Sequence, residues 1–214
     1  MSFIFAHLVS GQDMADKKKT KEEIKVIVAV PCSDSDSMRA KTAQAIGAAI
    51  IGAEGVVVDF LLRQSCDIVS NRTWLVQEAI KKGGTHIFFA DTDVYFPAYT
   101  IKQLLGHNKD IIGLDYNKRK FPLESTSQPL TDISKSATEP YKVKSAGMGA
   151  MLIKLSVFKR LMEFNEPFFN FGRDKEGKLV LGEDVWFINS AKDAGFDSWV
   201  DPTIKAGHIG EFLY

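Results

Sequence analysis

Cysteine is scarce in this sequence, and its scarcity limits the class of protein. The 214 residues include only Cys32 and Cys66, which form neither a CxxC pair nor a Cys/His spacing. Two isolated cysteines support neither a disulfide framework nor a structural zinc site, and they are typical of thiols kept reduced. We therefore expect a cytoplasmic protein.

A surplus of charge of one sign is also missing, as is any long hydrophobic run. Lys plus Arg and Asp plus Glu both number 27, so the net charge is zero. No whole-protein field then attracts nucleic acid or an anionic membrane, and any bound anion must be held by a local site. No apolar run approaches the roughly 20 residues of a membrane helix, and the first residues lack the pattern of a signal peptide. We expect neither a nucleic-acid partner nor a transmembrane segment.

What is present suits one globular domain. With 45% hydrophobic and 25% charged residues, the chain can build one sizeable core. Residues 1–23 end in the charged run DMADKKKTKEE, which cannot bury a face, and we predict a disordered or loosely attached leader there. The folded domain is expected at 24–214.

Strands and helices alternate in the first ninety residues. The pattern predicts strands at 24–30, 55–62 and 85–90, and helices at 38–52 and 71–84. Ser35 or Ser37 is a candidate N-cap for the first helix, and Gly52 ends it. This βαβαβ order predicts an α/β fold, Rossmann-like, with a mixed but mostly parallel sheet, helices on both faces, and a ligand crevice at the carboxyl ends of the strands.

The second half continues the alternation around one long loop. We predict helices at 98–107, 157–164 and 182–195, and extended segments at 110–116, within 142–156, and at 197–202. The loop spans 117–140, and loops of that length are usually functional or disordered. With Tyr116, Lys118, Arg119 and Lys120 at its root, it is a candidate lid or acceptor platform.

Two carboxylates end the third predicted strand, in HIFFADTDVYF at 86–96. Asp91 and Asp93 can face the same way from an extended segment, and without a cation they would repel each other. Mg²⁺ and Mn²⁺ bind one or two carboxylates and leave positions open for substrate phosphates. The alternative is that both residues only form a turn at the strand end.

Two later motifs carry further candidate groups. Glu183 and Asp184 stand at the start of a predicted helix, where Asp184 could simply be the N-cap, a role that does not exclude catalysis. His208 lies between Gly207 and Ile209-Gly210, which permit a close approach of the backbone to a ligand, and imidazole is a common metal ligand. A lone histidine is otherwise most often structural.

The ordered motifs FFADTDV, SAGMGAMLIKLSVFKRL, GEDVWF and AGHIG resemble those of GT-A fold glycosyltransferases of the DXD type, especially the family-2-like group. The resemblance covers roughly residues 24–210 and implies a single GT-A domain. It also implies a nucleotide-sugar donor, UDP- or GDP-linked, a Mn²⁺ or Mg²⁺ ion, and transfer of the sugar to a hydroxyl of a glycan or other acceptor.

The same resemblance implies residue roles. Asp93 would be the direct metal ligand, with Asp91 its partner toward the ribose or the metal and His208 the C-terminal ligand. Asp184, with Glu183 beside it, would be the general base of an inverting enzyme, and Trp186 would line the acceptor side. The donor site would comprise Pro31, Cys32, Asp59, Arg63, Arg72, Asp91, Thr92, Gly147 and Gly149. The family's acidic turn after the second strand is missing here, which weakens the assignment of Asp59.

Two other functions fit parts of the pattern. An apolar strand followed by DTDV also resembles haloacid-dehalogenase-like phosphatases, in which Asp91 would be the nucleophile and Asp93 the acid/base. Two strand-helix units precede the aspartates here, however, and His208 would then have no role. The third possibility is a non-catalytic sugar-binding module of the same fold, which would not need the intact acidic residues.

Overall fold

The computed structural model describes residues 23–33, 37–133, 137–165 and 167–210. The predicted leader at 1–23 lies outside the described residues except for its last residue, as does the candidate cap Ser35. The described part of the chain contains five α-helices: α1 (Ala40–Gly52), α2 (Ile68–Lys81), α3 (Thr100–Gly106), α4 (Leu155–Met162) and α5 (Glu183–Asp193). Its strands are β1 (Lys25–Cys32), β2 (Val57–Gln64), β3 (His86–Ala90), β4 (Val94–Tyr95), β5 (Ile111–Leu114), β6 (Gln128–Pro129), β7 (Tyr141–Ser145), β8 (Ala150–Lys154), β9 (Gly172–Arg173), β10 (Leu179–Leu181), β11 (Ser198–Asp201) and β12 (Gly207–His208).

Eight strands form one central sheet in the order β2-β1-β3-β8-β5-β11-β7-β6. Six strands run in one direction, and β7 and β8 run in the other. The strand pairs β9–β10 and β4–β12 lie outside this sheet. The predicted α/β class with a mixed sheet is confirmed.

The strand β1 shows why the sheet is covered on both faces. Its core residues are fully buried and alternate between two clusters: Ile27 and Ala29 pack with α2, α4 and α5, whereas Val26 and Val28 pack with α1 and α3. Each such side chain contributes about 1.5–3 kcal/mol when it is fully buried. A continuous apolar run is therefore required, and helices lie on both faces as predicted.

The helix starts differ from the sequence prediction. Helix α2 begins at Ile68 rather than at Asn71, because Asp67 caps it by accepting hydrogen bonds from the amides of Val69 (3.2 Å) and Ser70 (3.0 Å). Helix α1 has Arg39 at its N-cap position and no side-chain cap there, so the prediction that Ser37 caps it is wrong.

The segment 142–156 contains two strands rather than one. Strand β7 pairs with β11 and β6, whereas β8 lies between β3 and β5 and is antiparallel to both. The connection between them carries Gly147 and Gly149 past the end of β3, where the amide of Asp91 donates to the carbonyl of Gly149 (2.9 Å). The long loop also contains structure, since β6 lies within it and Asn117 bridges to Ser125.

Two expectations about the whole chain concern membranes and disulfides. Among the described residues, no helix has the length and apolar character needed to cross a membrane. Cys32 is buried and Cys66 is exposed, and neither forms a disulfide in the described part of the chain.

Candidate functional site

A short antiparallel pair brings His208 to the carboxylate motif. Strand β12 pairs with β4 so that His208 is opposite Val94, and the amide of Ile209 donates to the carbonyl of Asp93 (2.8 Å). A Cβ on Gly207 would lie 2.3 Å from the ring of Tyr95, so only glycine allows the strand to pass this closely. His208 Nε2 is 3.3 Å from Asp93 Oδ1 as a result.

The Asp93 carboxylate has two cationic or polar neighbours. Arg119 contacts Oδ2 at 2.8 Å, and His208 contacts Oδ1. Burial opposes ionisation, but the hydrogen bond and charge of His208 and the charge of Arg119 outweigh it and lower the pKa of Asp93. The other ring nitrogen of His208, Nδ1, lies 3.0 Å from the carbonyl oxygen of Asn117. With Nδ1 donating to that carbonyl, Nε2 is directed toward Asp93.

Arg72 joins the first aspartate to the acidic residues of α5. Its guanidinium NH2 group is 2.9 Å from Asp91 Oδ1, and its Nε is 3.5 Å from Glu183 Oε1. The Arg72 side chain is only 3% exposed and lies over the ring of Phe89. Burial disfavours its charge, but Asp91 and Glu183 outweigh that effect and raise the pKa of Arg72. Arg72 is therefore a buried counter-ion shared by Asp91, which follows β3, and Glu183, at the start of α5.

Asp184 stands in the first turn of α5 but does not cap it. The N-cap is Gly182, and Asp184 Oδ1 accepts from the amide of Val185 (2.7 Å). Burial, followed by repulsion from Glu183, raises the pKa of Asp184. These two effects outweigh the hydrogen bond from Val185 and the charge of Arg72, which both lower the pKa of Asp184. A higher pKa makes Asp184 a better proton acceptor.

Tyr116 connects the two halves of the site. Its hydroxyl accepts from the amide of Gly149 (2.8 Å), and its ring meets the ring of His208 edge-on at 5.4 Å. A Cβ would lie 2.5 Å from the Tyr116 oxygen if placed on Gly149 and 2.6 Å if placed on Gly147. Both glycines therefore make room for the buried Tyr116. Burial also raises the pKa of its hydroxyl above the ordinary tyrosine value. Sequence reasoning placed Tyr116 only at the loop root.

Several predicted donor residues gather at the carboxyl end of β1. Pro31 pairs with Arg63 on β2, and Arg63 lies over the Trp74 ring at 5.1 Å. The side-chain amide of Asn71 donates to the Cys32 carbonyl at 2.9 Å, which fixes the start of α2 against the end of β1. The fully buried Asn71 is not among the predicted donor residues, although it precedes Arg72 directly.

Thr92 and Trp186 each hydrogen-bond to a residue outside their own segment. The carbonyl of Thr92 accepts from the amide of Arg39 (2.9 Å), which ties the aspartate turn to the start of α1. Trp186, on α5, donates from Nε1 to the carbonyl of Pro167 (3.3 Å).

Asp59 is not brought to this cluster. It pairs in register with Ile27, and Ile27 pairs with Ile87, four residues before Asp91. Four strand residues correspond to roughly 13 Å, so Asp59 lies well below the carboxyl edge of the sheet. Its carboxylate contacts Lys82 at 3.0 Å, and the hydrogen bond from Lys82 lowers the pKa of Asp59.

The donor groups around Asp93 fit a divalent cation only in part. Among the described residues, no three His, Cys, Asp or Glu side chains are gathered as metal ligands. Arg72 contacts Asp91 Oδ1 and Arg119 contacts Asp93 Oδ2, whereas Asp93 Oδ1 and His208 Nε2 lie next to each other as one oxygen and one nitrogen donor. Ions of this type commonly take one or two protein ligands and fill their remaining positions with water and substrate phosphate. The pair fits such a two-ligand site.

Comparison with known proteins identifies the fold. No protein-family model and no curated protein matches this sequence. Many solved structures match in fold, and these include the following two. A197 from STIV has a TM-score of 0.55 at 14% identity, covering 88% of this chain and 87% of that one. S. aureus TarS 1–349 has a TM-score of 0.51 at 13% identity, covering 86% of this chain and 60% of that one.

A second structure of the TarS fragment, in complex with UDP-GlcNAc, also matches. It has a TM-score of 0.51 at 10% identity and covers 89% of this chain and 60% of that one. This chain therefore spans about 60% of the TarS fragment. Similarity at such low identity concerns the fold, and it supports the predicted GT-A architecture.

Proposed function

We propose that this chain is a glycosyltransferase that moves a sugar from a nucleoside-diphosphate sugar to an acceptor hydroxyl. The observation that carries the proposal is the arrangement around Arg72. This buried residue links Asp91, at the end of β3, to Glu183 and the adjacent Asp184, at the start of α5. A fold shared with a protein that binds UDP-GlcNAc supports a nucleotide-sugar donor.

The donor side of the proposed site extends from the end of β1 to β12. Pro31, Cys32 and Arg63 would hold the nucleotide, and Gly147 and Gly149 would let the sugar lie against the backbone. Asp93 and His208 would hold Mn²⁺ or Mg²⁺, with Asp91 directed to the ribose or the ion. When bound, the ion would neutralise charge that develops on the departing diphosphate.

The acceptor side is assigned to α5. Asp184 would take the proton of the acceptor hydroxyl as its oxygen bonds to the anomeric carbon. The bond from that carbon to the diphosphate would break, and its electron pair would leave with the nucleoside diphosphate. Arg72 holds Glu183, so Asp184 is the carboxylate left to act as base in an inverting reaction. Trp186, on the same helix, would line this side.

The two other functions are less well supported. In the phosphatase alternative Asp91 would be the nucleophile, but a buried guanidinium already contacts its Oδ1. Strand β3 also borders the antiparallel β8, and the structural matches belong to another fold. A non-catalytic module gives no reason for a half-buried carboxylate with a raised pKa at the start of α5.

The proposal is tested by the release of nucleotide from UDP- and GDP-sugars offered with simple sugar acceptors. Asp184→Asn should bind the donor as the wild type does and lose at least about a hundredfold in turnover, the usual contribution of a general base. Asp59→Asn is the matched control, since Asp59 lies away from the cluster, and it should leave turnover unchanged. Wild-type turnover in Asp184→Asn would overturn the general-base assignment.

A further inference from the structure

The two edges of the central sheet differ in how well they are protected from pairing with another strand. One edge is β6, which has two residues, includes Pro129 and pairs with an irregular register. Short edge strands, prolines and bulges are the usual means of preventing further pairing. The other edge is β2, which has eight residues, pairs residue for residue with β1 and contains no proline. Among the strands that the structure describes, β1 is its one neighbour, so the outer edge of β2 is open to another strand.

Large apolar side chains are exposed along this open edge. Phe60 and Leu62 lie on the same face of β2 as Val58, which packs against the core cluster of α1. They are 41% and 44% exposed, although the residues opposite them on β1, Val28 and Val30, are buried. A long edge strand with exposed apolar side chains is typical of a strand that pairs with another chain.

The backbone of β2 shows which residues face the open edge. The amide of Val57 donates to the carbonyl of Ile24 (3.2 Å), so Val57 and every second residue after it direct their N–H and C=O groups to β1. Phe60 and Leu62 therefore direct theirs outward. The outward amide of Phe60 donates to Oδ1 of the adjacent Asp59 (2.8 Å), a local contact that a new strand would replace.

One antiparallel register pairs β2 with a second copy of itself. When Leu61 is opposite Leu61 of the second copy, Phe60 is opposite Leu62, and both have outward N–H and C=O groups that can exchange hydrogen bonds. In the same register Asp59 is opposite Arg63, in a pair whose side chains lie closest together. Two-fold symmetry repeats each pair on the other side of the axis. A shift by two residues in either direction would place one of these charges opposite Leu61, so the charges favour this register.

Both charged residues can make this contact from the folded chain. Asp59 and Arg63 share the face of β2 on which Leu61 packs against the core cluster of α2. The Asp59 carboxylate is half-buried and contacts Lys82 at 3.0 Å, and a second cation would add to that contact. Arg63 is exposed and lies over the Trp74 ring. Its guanidinium carries several N–H donors, so contact with a carboxylate leaves others for the nucleotide of the proposed site.

We propose that two copies of this chain associate through β2, antiparallel about a two-fold axis, so that their central sheets become one continuous sheet. Phe60 and Leu62 of both copies form the apolar contact, and the Asp59–Arg63 pairs set the register. The carboxyl ends of the two β2 strands then point in opposite directions, so the two candidate sites face opposite ways. This association does not rest on the proposed function.

The test is sedimentation velocity of the full chain over about 1 to 100 µM, a range that measures a micromolar dissociation constant. Asp59→Arg and Arg63→Asp each place like charges opposite each other on both sides of the axis. Each variant should therefore dimerise at least about tenfold more weakly than the wild type. Mixing the two variants brings opposite charges together again, and the mixed dimer should form with nearly the wild-type affinity.

The matched controls reverse charges near the other edge of the sheet. Asp197→Arg and Lys142→Asp break an exposed pair (2.5 Å) beside β7 and β11, and each should dimerise as the wild type does. Phe60→Thr/Leu62→Thr removes the apolar contact without changing any charge, and it should weaken dimerisation at least about tenfold.

Three results would overturn the proposal. A wild type that stays monomeric throughout would do so and leave the edge of β2 to residues 1–22 or to another protein. Dimerisation that neither charge reversal weakens would mean that the copies meet elsewhere. If both charge variants are folded by circular dichroism and their mixture does not dimerise, the register is wrong; if either is unfolded, wild-type dimerisation of folded Phe60→Thr/Leu62→Thr overturns the proposal.

Discussion

Replacing Arg72 by Met removes one cation from among three carboxylates and nearly preserves the apolar stem. Arg72 is 3% exposed, and its partners Asp91 and Glu183 are 31% and 17% exposed. Removing one partner of a buried ion pair costs about 3–5 kcal/mol, because the remaining charge is left buried and uncompensated. The partial exposure of Asp91 reduces this, and we expect Arg72→Met to lose about 2–4 kcal/mol of unfolding free energy near neutral pH.

The pH dependence of this loss follows from the sign of the pKa changes. Without Arg72, the carboxylates of Asp91, Glu183 and Asp184 repel one another more strongly, so the pKa of Asp184, which is already raised in the wild type, rises further above its unfolded value. An acid whose folded pKa is raised destabilises the fold once it ionises. The difference between variant and wild type should therefore grow as pH rises above the carboxylate range and shrink as pH falls through it.

Urea unfolding of both proteins, near pH 8 and again at about pH 5, measures this difference directly. The control is Lys82→Met, which breaks the exposed pair with Asp59 and should cost no more than about 1 kcal/mol. An Arg72→Met variant as stable as the wild type near pH 8 would refute the shared counter-ion, and so would a loss that does not change with pH.

Three further predictions concern single side chains. Because the pKa of Asp184 is raised, turnover should fall as pH drops through a value above the usual aspartate pKa of about 3.9; a pH-rate profile without an acid limb above that value contradicts the base assignment. Gly149→Ala places a Cβ 2.5 Å from the Tyr116 oxygen and should cost about 1–3 kcal/mol in urea unfolding, partly recovered by adding Tyr116→Phe; a neutral Gly149→Ala would contradict the packing. Asp67→Ala removes the α2 cap and should cost about 1 kcal/mol, whereas Ser37→Ala should cost nothing measurable; equal stabilities of the two variants would show that Asp67 is not the cap.

The sequence predicts the centre of the fold well, because burial on both faces restricts the residues allowed there. The predicted strands at 24–30 and 85–90 correspond to β1 at Lys25–Cys32 and β3 at His86–Ala90. Both are nearly uninterrupted apolar runs bounded by turn residues, and such runs rarely fit anything but a doubly covered strand.

Features that depend on distant partners are not predicted. The separation of β7 from β8 depends on which strands each one joins across the sheet, and nothing in the local run of 142–156 encodes it. The early start of helix α2 has a local cause instead: Asp67 accepts hydrogen bonds from the amides of Val69 and Ser70, a role that many aspartates in loops do not have.

The candidate site also contains features that the sequence predicts and features that it does not. The residue types at Asp91, Asp93 and Asp184 are visible in the sequence, and so is a histidine between glycines. Their partners are not, because Arg72 meets Glu183 only when α2 and α5 pack on the same face of the sheet. The raised pKa of Asp184 likewise comes mainly from desolvation in the folded chain, which the local sequence does not reveal.

The central claim is that a nucleotide sugar binds beside Asp93 and His208. Calorimetric titration of UDP, GDP and their common sugar conjugates, with Mn²⁺ and again with EDTA, tests it most directly. The account predicts that one nucleotide binds in the presence of Mn²⁺, and that binding is lost in EDTA and in an Asp93→Ala variant that unfolds at the wild-type temperature. No binding by any of these nucleotides, together with hydrolysis of a simple phosphate ester that depends on Asp91, would contradict the account and favour the phosphatase alternative.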